Sequence, residues 1–348
     1  MKIIHCNVHG DIEVSDIAIA IIDTWEFQRL RQINQTGLAK FVFPGAMTTR
    51  FEHSLGTYYL TGKVLLHLGM DSSDPLYELI KLGGLCHDLG HGPFSHMSDN
   101  WCLSNYKGAW KHHEMRSQAI FRHIAKQRSL LTEPDIDFVC NVIYPPSSEK
   151  WFMNVVNNTI NGIDTDKLDY IVRDNRAFGL HLNIDVNRII LNMKVLEGKI
   201  CFCERISDEL LNLFLVRCRL YTTIYTHPTI SRIERSMFSI LNEFNYTQII
   251  ADEDIEEFCK LTDFYIESTG NRSKLRTLFE GRGKGSDSPA PPTSFSPGIV
   301  FKHVFVYNRK TNQVVPFHTK KLIEYFDLIS LGSTKVLKST GKKGNEYI

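Results

Sequence analysis

Residues 85–96 read LCHDLGHGPFSH and place three histidines and an aspartate within twelve positions. His87 and Asp88 are adjacent, and the glycines that follow put them near the end of a predicted helix. Adjacent side chains do not face each other on a helix, but both can point into one cleft at a helix end. An imidazole nitrogen and a carboxylate oxygen then offer mixed ligands to a divalent transition metal. Two ligands are too few for a complete site.

The chain as a whole has the composition of an ordinary globular protein. Its 348 residues are 43% hydrophobic and 23% charged, which suits one large domain with at most a small appendage. The formal net charge of +1 produces no global field that would indicate nucleic acid or a membrane as a partner. No apolar run has the length of a membrane span or a signal peptide. The eight cysteines lack zinc-like spacing, so we expect reduced thiols in a cytoplasmic or nuclear protein.

Apolar residues recur at helical spacing along most of the chain. We predict helices in seven segments, 16–33, 51–68, 74–90, 112–127, 133–143, 164–178 and 207–226. Asp16 is the predicted N-cap of the first helix. The segment 193–203, MKVLEGKICFC, predicts two strands joined by a Glu-Gly turn. The expected fold class is therefore mainly α with small β insertions.

Composition changes sharply at residues 281–298, where Gly, Pro and Ser replace the apolar periodicity. Such a stretch predicts a loop or linker. Beyond it, residues 299–308 alternate like a strand and residues 322–330 suit a short helix. We therefore predict a helical core at 1–280, the linker at 281–298 and a small α+β region at 299–348.

The sequence around the histidines resembles that of the HD-domain deoxynucleoside triphosphate triphosphohydrolases, including the animal enzymes that add a SAM domain. Six segments follow the order of that family: DTWEFQRLRQINQ, FPGAMTTRFEHSLG, LCHDLGHGPFSHM, HHE, NGIDTDKLDYIVRD and LVRCRLYTTIY. The similarity is strong from about residue 2 to about residue 245. It implies an HD helical metal-phosphohydrolase core, and we expect no SAM domain in this sequence.

The resemblance implies a metal centre and a catalytic group beside it. The implied metal ligands are His53, His87, Asp88 and Asp166. The implied catalytic residues are His91, His96 and His113, with Asp99 orienting them. An imidazole suits proton transfer near neutral pH because its ordinary pKa is about 6.5. Either His96 or His113 could transfer the proton, and mixed His/Asp ligation suits iron, manganese, zinc or nickel about equally.

The implied substrate is a deoxynucleoside triphosphate, accompanied by magnesium. The implied substrate-binding residues are Gln35, Arg50, Lys167, Tyr170, Asp174 and Arg217. The three cations match positions that hold the phosphate chain, whose charge must be neutralised during the reaction. A tyrosine ring against the sugar leaves no room for a 2′-hydroxyl, and Asp174 and Gln35 can hydrogen-bond a 3′-hydroxyl. Water would attack the α-phosphorus and release deoxynucleoside and intact inorganic triphosphate.

The family also implies activation by GTP and assembly of several copies. Asp23, Gln28 and Arg31 match positions that recognise the guanine nucleotide, and helical spacing brings Gln28 and Arg31 together. His5 and Cys6 depart from the family, since they replace an asparagine and an aspartate of the partner segment. We expect a dimer or nucleotide-stabilised tetramer whose GTP dependence is weaker or different. The alternative is that the three side chains form only a solvated helix face.

Two other functions stay open on the sequence. An HD site can hydrolyse phosphodiesters of nucleotides or nucleic acid, because the metal chemistry is indifferent to what lies beyond the phosphate. The three cations at phosphate positions disfavour this alternative. A non-catalytic nucleotide-binding regulator is the other, and basic segments at 309–313 and 338–345 could contact nucleic acid, although solvated segments are the favoured interpretation. The complete set of metal ligands argues for catalysis.

Overall fold

A computed structural model describes residues 1–146, 150–281 and 303–317. The described residues are mainly helical, as predicted. The helices are α1 (Asp16–Ile22), α2 (Trp25–Gln28), α3 (Arg50–His67), α4 (Pro75–Cys86), α5 (His96–Asn105), α6 (His113–Gln127), α7 (Glu133–Ile143), α8 (Thr165–Ala177), α9 (Val186–Ile190), α10 (Ser207–Leu220), α11 (Pro228–Leu241), α12 (Tyr246–Asp252), α13 (Ile255–Lys260), α14 (Asp263–Thr269) and α15 (Arg272–Gly281). The strands are β1 (Lys2–Cys6), β2 (Gly10–Val14), β3 (Met193–Leu196), β4 (Lys199–Cys203), β5 (Phe305–Tyr307) and β6 (Val314–Pro316).

The prediction for the first helix was wrong in its cap and in its continuity. Ser15 is the N-cap in place of Asp16, since its Oγ accepts the backbone N–H of Ala18 at 3.2 Å. A second hydroxyl, from Thr24, caps the separate short helix α2 by accepting the N–H of Phe27 at 3.3 Å. Serine and threonine favour such caps because their side chains compete for backbone hydrogen bonds.

Helix α3 carries the first of the predicted metal ligands. A capping box fixes its start, with the Thr49 hydroxyl accepting the N–H of Glu52 at 3.4 Å and the Glu52 carboxylate accepting the N–H of Thr49 at 3.1 Å. The helix packs against α4 and against α8. His53 is the residue after Glu52, and its side chain is fully buried.

Two glycines permit unusually close helix contacts. A β-carbon at Gly56 of α3 would lie 1.9 Å from Oδ1 of Asp169 on α8. A β-carbon at Gly83 of α4 would lie 2.3 Å from Cγ1 of Val142 on α7. Any side chain at these positions would push the helices apart. Gly56 therefore sets how closely α8 approaches α3, and Gly83 sets how closely α7 approaches α4.

Two small sheets accompany the helices. Strands β1 and β2 form an antiparallel hairpin that was not predicted, with Lys2 opposite Val14. The predicted hairpin of β3 and β4 is confirmed. β5 pairs parallel with β4 and antiparallel with β6, giving the order β3-β4-β5-β6. Of the strand predicted at 299–308, the described residues 303–308 include β5 at Phe305–Tyr307.

The remaining helix predictions differ mainly at their ends. Helix α4 stops at Cys86, so residues 87–95 form a loop. The segment predicted at 207–226 is α10 followed by a π-helical turn at Tyr221–Tyr225. The helix predicted at 322–330 and nearly all of the predicted linker lie outside the described residues. None of the described helices is both long and apolar enough to cross a bilayer.

Candidate active site

The four predicted metal ligands come from three separate segments and meet at one point. His53 belongs to α3, His87 and Asp88 follow α4, and Asp166 lies in the first turn of α8. The donor atoms of His53, His87 and Asp166 all lie within 4.8 Å of one another. Asp88 lies 3.5 Å from Nε2 of His53 and 3.4 Å from Nε2 of His87. The four side chains can therefore share one cation.

Hydrogen bonds fix which ring nitrogens face this point. Nδ1 of His87 donates to the carbonyl of Gly84 at 2.8 Å, and Nδ1 of His53 donates to Oδ2 of Asp169 at 2.7 Å. The two Nε2 atoms, 3.2 Å apart, are directed to the centre. Such outer bonds orient metal-binding histidines and raise their basicity. The donor set fits a divalent transition metal.

Ionised carboxylates surround the centre. Burial lowers the pKa of His53, but hydrogen bonds to Asp166 and Asp169 outweigh it and raise that pKa to about 10. Burial raises the pKa of Asp166, yet His53 and His87 together hold that pKa well below the usual range. Burial raises the pKa of Asp88 as well, but Arg50, His87 and His91 together hold it well below its usual range. These ionised carboxylates attract positive charge, and a metal ion competes with the proton on His53.

Asp169 belongs to the site but was not among the predicted residues. It is fully buried, and Arg173 donates to its two oxygens at 2.8 and 2.9 Å. Nε2 of His9 lies 2.6 Å from its Oδ1. The spacing of Asp169 and Arg173, four apart on a predicted helix, could have indicated this ion pair. His9 gave no comparable indication, since it lies between β1 and β2, 160 residues away.

The four predicted catalytic residues form a second group. Oδ2 of Asp99 lies 2.9 Å from Nδ1 of His91, 3.2 Å from Nδ1 of His113 and 3.6 Å from Nδ1 of His96. Arg116 donates to the other oxygen of Asp99. The rings of His91 and His113 stack with their centroids 4.0 Å apart. One carboxylate thus lies beside three imidazole rings, although neither its Oδ2 nor Nδ1 of His91 makes a hydrogen bond among the described residues.

Burial separates the roles of these histidines. Burial, Arg50 and His113 lower the pKa of His91 to about 4, so this ring is neutral. Burial lowers the pKa of His113, but Asp99 outweighs it and raises that pKa. The side chain of His91 is 1% exposed, that of His113 23% and that of His96 68%. His96 and His113 are therefore the rings that an incoming ligand can reach.

Two of the predicted phosphate-binding cations already have carboxylate partners. Arg50 is buried, and it donates from Nη1 to Asp88 at 2.7 Å and from Nε to Oγ of Ser95 at 3.0 Å. Lys167 donates to Asp164 at 2.7 Å. Arg50 consequently borders the metal ligands directly, whereas Lys167 is held at the start of α8.

The third cation meets the predicted sugar-binding residues. Nε of Arg217 on α10 donates to the hydroxyl of Tyr170 on α8 at 2.9 Å. The ring of Tyr170 lies 6.4 Å from that of His53, measured between centroids. One turn later, Asp174 accepts the hydroxyl of Tyr225 at 2.6 Å. Tyr225 was not among the predicted site residues. It lies in the π-helical turn, and π-helical turns are frequent at functional sites.

Two of the predicted sugar contacts carry unsatisfied acceptors. Oε1 of Gln35 and Oδ1 of Asp174 are buried and have no hydrogen-bond partner among the described residues. Burial raises the pKa of Asp174 to about 6, even though Tyr225 donates to it. Buried acceptors without partners are uncommon in proteins. Both atoms could accept a hydroxyl group from a ligand.

The predicted activator residues lie at the surface. Nε of Arg31 donates to Oε1 of Gln28 at 2.8 Å, so these two are together as expected. The guanidinium of Arg31 stacks over the ring of Phe51 at 3.5 Å. Asp23 is instead 3.6 Å from Nζ of Lys2 on β1.

Asp169→Asn is expected to weaken metal binding by about 10–100-fold, because it removes the charge that orients His53. It should also destabilise the fold by about 3–5 kcal/mol, since Arg173 then stays buried without a counter-charge. Chelator competition followed by elemental analysis measures the first effect, and urea unfolding measures the second. Asp185→Asn is the control, since Asp185 is exposed and bonds only the N–H of Arg188. Unchanged metal affinity in folded Asp169→Asn would show that Asp169 does not support the centre.

Comparison with known proteins gives a family match for the region that carries the predicted metal ligands and catalytic residues. Residues 50–174 match the HD domain family. The chain is 35% identical over 288 residues to an HD domain-containing protein of Acanthamoeba polyphaga mimivirus. It is 34% identical over 275 residues to the deoxynucleoside triphosphate triphosphohydrolase SAMHD1 homolog of Dictyostelium discoideum, and 34% identical over 311 residues to SAMHD1 of Homo sapiens.

These alignments cover most of this chain but less of its relatives. They include 75%, 75% and 76% of this chain, and 62%, 53% and 50% of the mimivirus, Dictyostelium and human proteins. The chain thus spans about half to three fifths of the length of these relatives. The chain contains an HD domain and is similar, over three quarters of its length, to the deoxynucleoside triphosphate triphosphohydrolases named SAMHD1.

Proposed function

We propose that the chain hydrolyses deoxynucleoside triphosphates to deoxynucleosides and inorganic triphosphate. The observation that carries this proposal is that α8 connects three parts of one site. Its Asp166 joins the metal ligands, its Tyr170 pairs with Arg217, and its Asp174 presents a buried acceptor. The similarity to proteins that bear the name of this activity supports the same substrate.

The phosphate chain would be bound by a metal and by cations of the protein. His53, His87, Asp88 and Asp166 would hold a divalent transition metal such as iron, manganese, zinc or nickel, and magnesium would accompany the nucleotide. When bound, the metal neutralises phosphate charge and polarises the attacked phosphorus. Arg50, Lys167 and Arg217 would donate to the phosphate oxygens, forming charge-assisted hydrogen bonds. Lys167 would release Asp164 and donate its hydrogen bond to the more highly charged triphosphate.

The reaction proposed is the attack of water on the α-phosphorus, with cleavage of the bond from that phosphorus to the 5′-oxygen. The leaving 5′-oxygen takes up a proton and becomes the deoxynucleoside hydroxyl. Asp99 lies at Nδ1 of His113, so Nε2 of His113 is the atom we assign to this proton transfer. The more exposed His96 would contact the phosphate, and the buried His91 would hold Asp99 in place.

The sugar would lie between Tyr170 and the two unsatisfied acceptors. The ring of Tyr170 is held by Arg217 and would occupy the space that a 2′-hydroxyl needs. Oδ1 of Asp174 and Oε1 of Gln35 would accept the 3′-hydroxyl. A site with buried groups that need a substrate hydroxyl discriminates strongly against analogues that lack it.

The direct test is chromatography of purified protein incubated with manganese and each deoxynucleoside triphosphate, with and without GTP. We expect equal amounts of deoxynucleoside and inorganic triphosphate, and no diphosphate or monophosphate. Asp88→Ala should lose both bound metal and product because Asp88 is a proposed ligand, and it should lower the stability of the folded protein by about 3–5 kcal/mol because buried Arg50 loses its counter-charge. Hydrolysis of cyclic nucleotides or nucleic acid alone would favour the phosphodiesterase alternative, and nucleotide binding without turnover would favour the regulator.

Tyr170→Ala is expected to admit ribonucleotides, because it opens the space beside the 2′ carbon. The ratio of kcat/KM for dATP to that for ATP should fall by about tenfold or more, with a loss of kcat for dATP. Tyr144→Ala is the control, since Tyr144 is 41% exposed at the end of α7. Equal turnover of ATP and dATP by the unmodified protein would refute the steric explanation.

We also propose a guanine nucleotide site at Asp23, Gln28 and Arg31. Gln28 and Arg31 are already joined by a hydrogen bond, and an amide beside a guanidinium suits recognition of a base edge and a phosphate. The departures at His5 and Cys6 alter this site. His5 lies 2.8 Å from Asp11 across the hairpin, and Cys6 is buried.

Light scattering with and without GTP plus a deoxynucleoside triphosphate tests this proposal. Nucleotides that bind only an assembled state must shift the equilibrium toward it. We expect the mass to rise to that of a dimer or tetramer, and Arg31→Ala to weaken the shift. Arg128→Ala, at an exposed position after α6, is the control. A protein that is monomeric and fully active under both conditions would contradict the proposal.

A further inference from the structure

Asp263, the first residue of α14, carries a buried carboxylate that serves a distant part of the chain. An acidic residue at a helix start usually faces the N–H groups of its own helix. Thr262 takes that role here, accepting the N–H of Tyr265 at 3.1 Å. Asp263 is 2% exposed, and its two oxygens accept the backbone N–H groups of Phe94 at 2.6 Å and Asn34 at 3.0 Å.

The loop at Phe94 has a backbone that needs outside support. Phe94 has a φ of 59° and Ser95 a φ of 54°. Both values lie in the left-handed region, which residues other than glycine seldom adopt. Such conformations cost free energy and persist only where the surroundings hold them. Asp263 binds the N–H of the first of these residues, and His96 follows the second.

The bond to Asn34 holds the segment that contains Gln35. The carbonyl of Asn34 accepts the hydroxyl of Ser95 at 2.6 Å, and that of Gln35 accepts Nη2 of Arg50 at 3.1 Å. Arg50 also donates to the hydroxyl of Ser95 at 3.0 Å. The two segments therefore join at one place beside Arg50, and Asp263 is bonded to both of them.

We propose that Asp263 is a positioning residue, which sets His96 and Gln35 relative to each other and to the metal ligands. This inference rests on the proposed function for what those two side chains contact. A carboxylate suits the task because each of its oxygens accepts an N–H. An asparagine offers one acceptor and would set its own amide hydrogens against the second N–H.

The electrostatic surroundings of Asp263 also support its assignment as a positioning residue. Lys40 is 4.0 Å from Oδ2 of Asp263 but only 2.7 Å from Glu267, so it neutralises Asp263 incompletely. Burial raises the pKa of Asp263 to about 7, although Lys40 and the two backbone N–H groups lower it. A carboxylate retained in so unfavourable a position is expected to serve a local geometry more than general stability.

The test compares Asp263→Asn and Asp263→Ala with the control Asp254→Asn. Asp254 also starts a helix, α13, but is exposed and bonds only the N–H of Glu257 at 3.0 Å. Hydrogen exchange of peptides containing Asn34 and Phe94 should accelerate by about tenfold or more in both Asp263 variants. With a deoxynucleoside triphosphate, kcat should fall by about tenfold or more, and by a larger factor than any change in KM. Bound metal and circular dichroism should match the parent, because no ligand is altered.

Three results would contradict the inference about Asp263 or the proposed function on which it rests. A folded Asp263→Asn protein with parental exchange at both peptides, or with kcat within about twofold of the parent, would overturn the inference. Loss of the global fold in both Asp263 variants would overturn it as well, since Asp263 would then serve overall stability. A parent protein inactive on every deoxynucleoside triphosphate would refute the proposed function, while exchange at Asn34 and Phe94 would still report whether Asp263 anchors the two segments.

Discussion

The buried ion pair of Asp169 and Arg173 is the interaction on which the site depends. Charges removed from water are tolerated only when they are paired and their remaining hydrogen bonds are made. Asp169 meets this condition by binding Arg173, His53 and His9, which lie on α8, α3 and the N-terminal hairpin. Gly56 leaves the space that its carboxylate occupies. The orientation of His53, the approach of two helices and the docking of the hairpin therefore share one cause.

The loop at 87–95 shows the same use of buried charge. It has little regular structure, so its buried backbone groups need partners from side chains. Arg29 donates to two of its carbonyls at 2.9 and 2.8 Å, and Arg116 to a third at 2.7 Å. Asp263 accepts one of its N–H groups at 2.6 Å. Cations satisfy the carbonyls and an anion satisfies the N–H, and the histidines of this loop are placed accurately as a result.

Local patterns made part of this structure predictable. Helices α3, α6, α7 and α8 follow their apolar periodicity, and the HD-type motifs picked out His53, His87 and Asp166, whose possible ligand atoms lie together, with Asp88 beside them. The break at Thr24 was not predictable, because a hydroxyl can cap a helix or lie inside one and periodicity does not distinguish them. The hairpin β1–β2 was not predicted because strand β1 reads KIIHC, where two adjacent apolar residues break the alternation of a half-buried strand. The contact of His9 with Asp169 joins residues 160 apart, and no local pattern reports such a contact.

The positions of the candidate site residues depend on segments that lie outside the matched HD region. The match to the HD domain covers residues 50–174, yet Arg29 before it and Asp263 after it hold the same loop. Ligand chemistry can be specified by short motifs, because an imidazole or a carboxylate carries its donor atoms wherever it is placed. Placement depends on buried hydrogen bonds between distant segments, and a displacement of about 1 Å can cost about 10²-fold in rate. The segments outside the matched region therefore belong to the candidate site in a physical sense, since their hydrogen bonds hold the loop that carries His87 and His91.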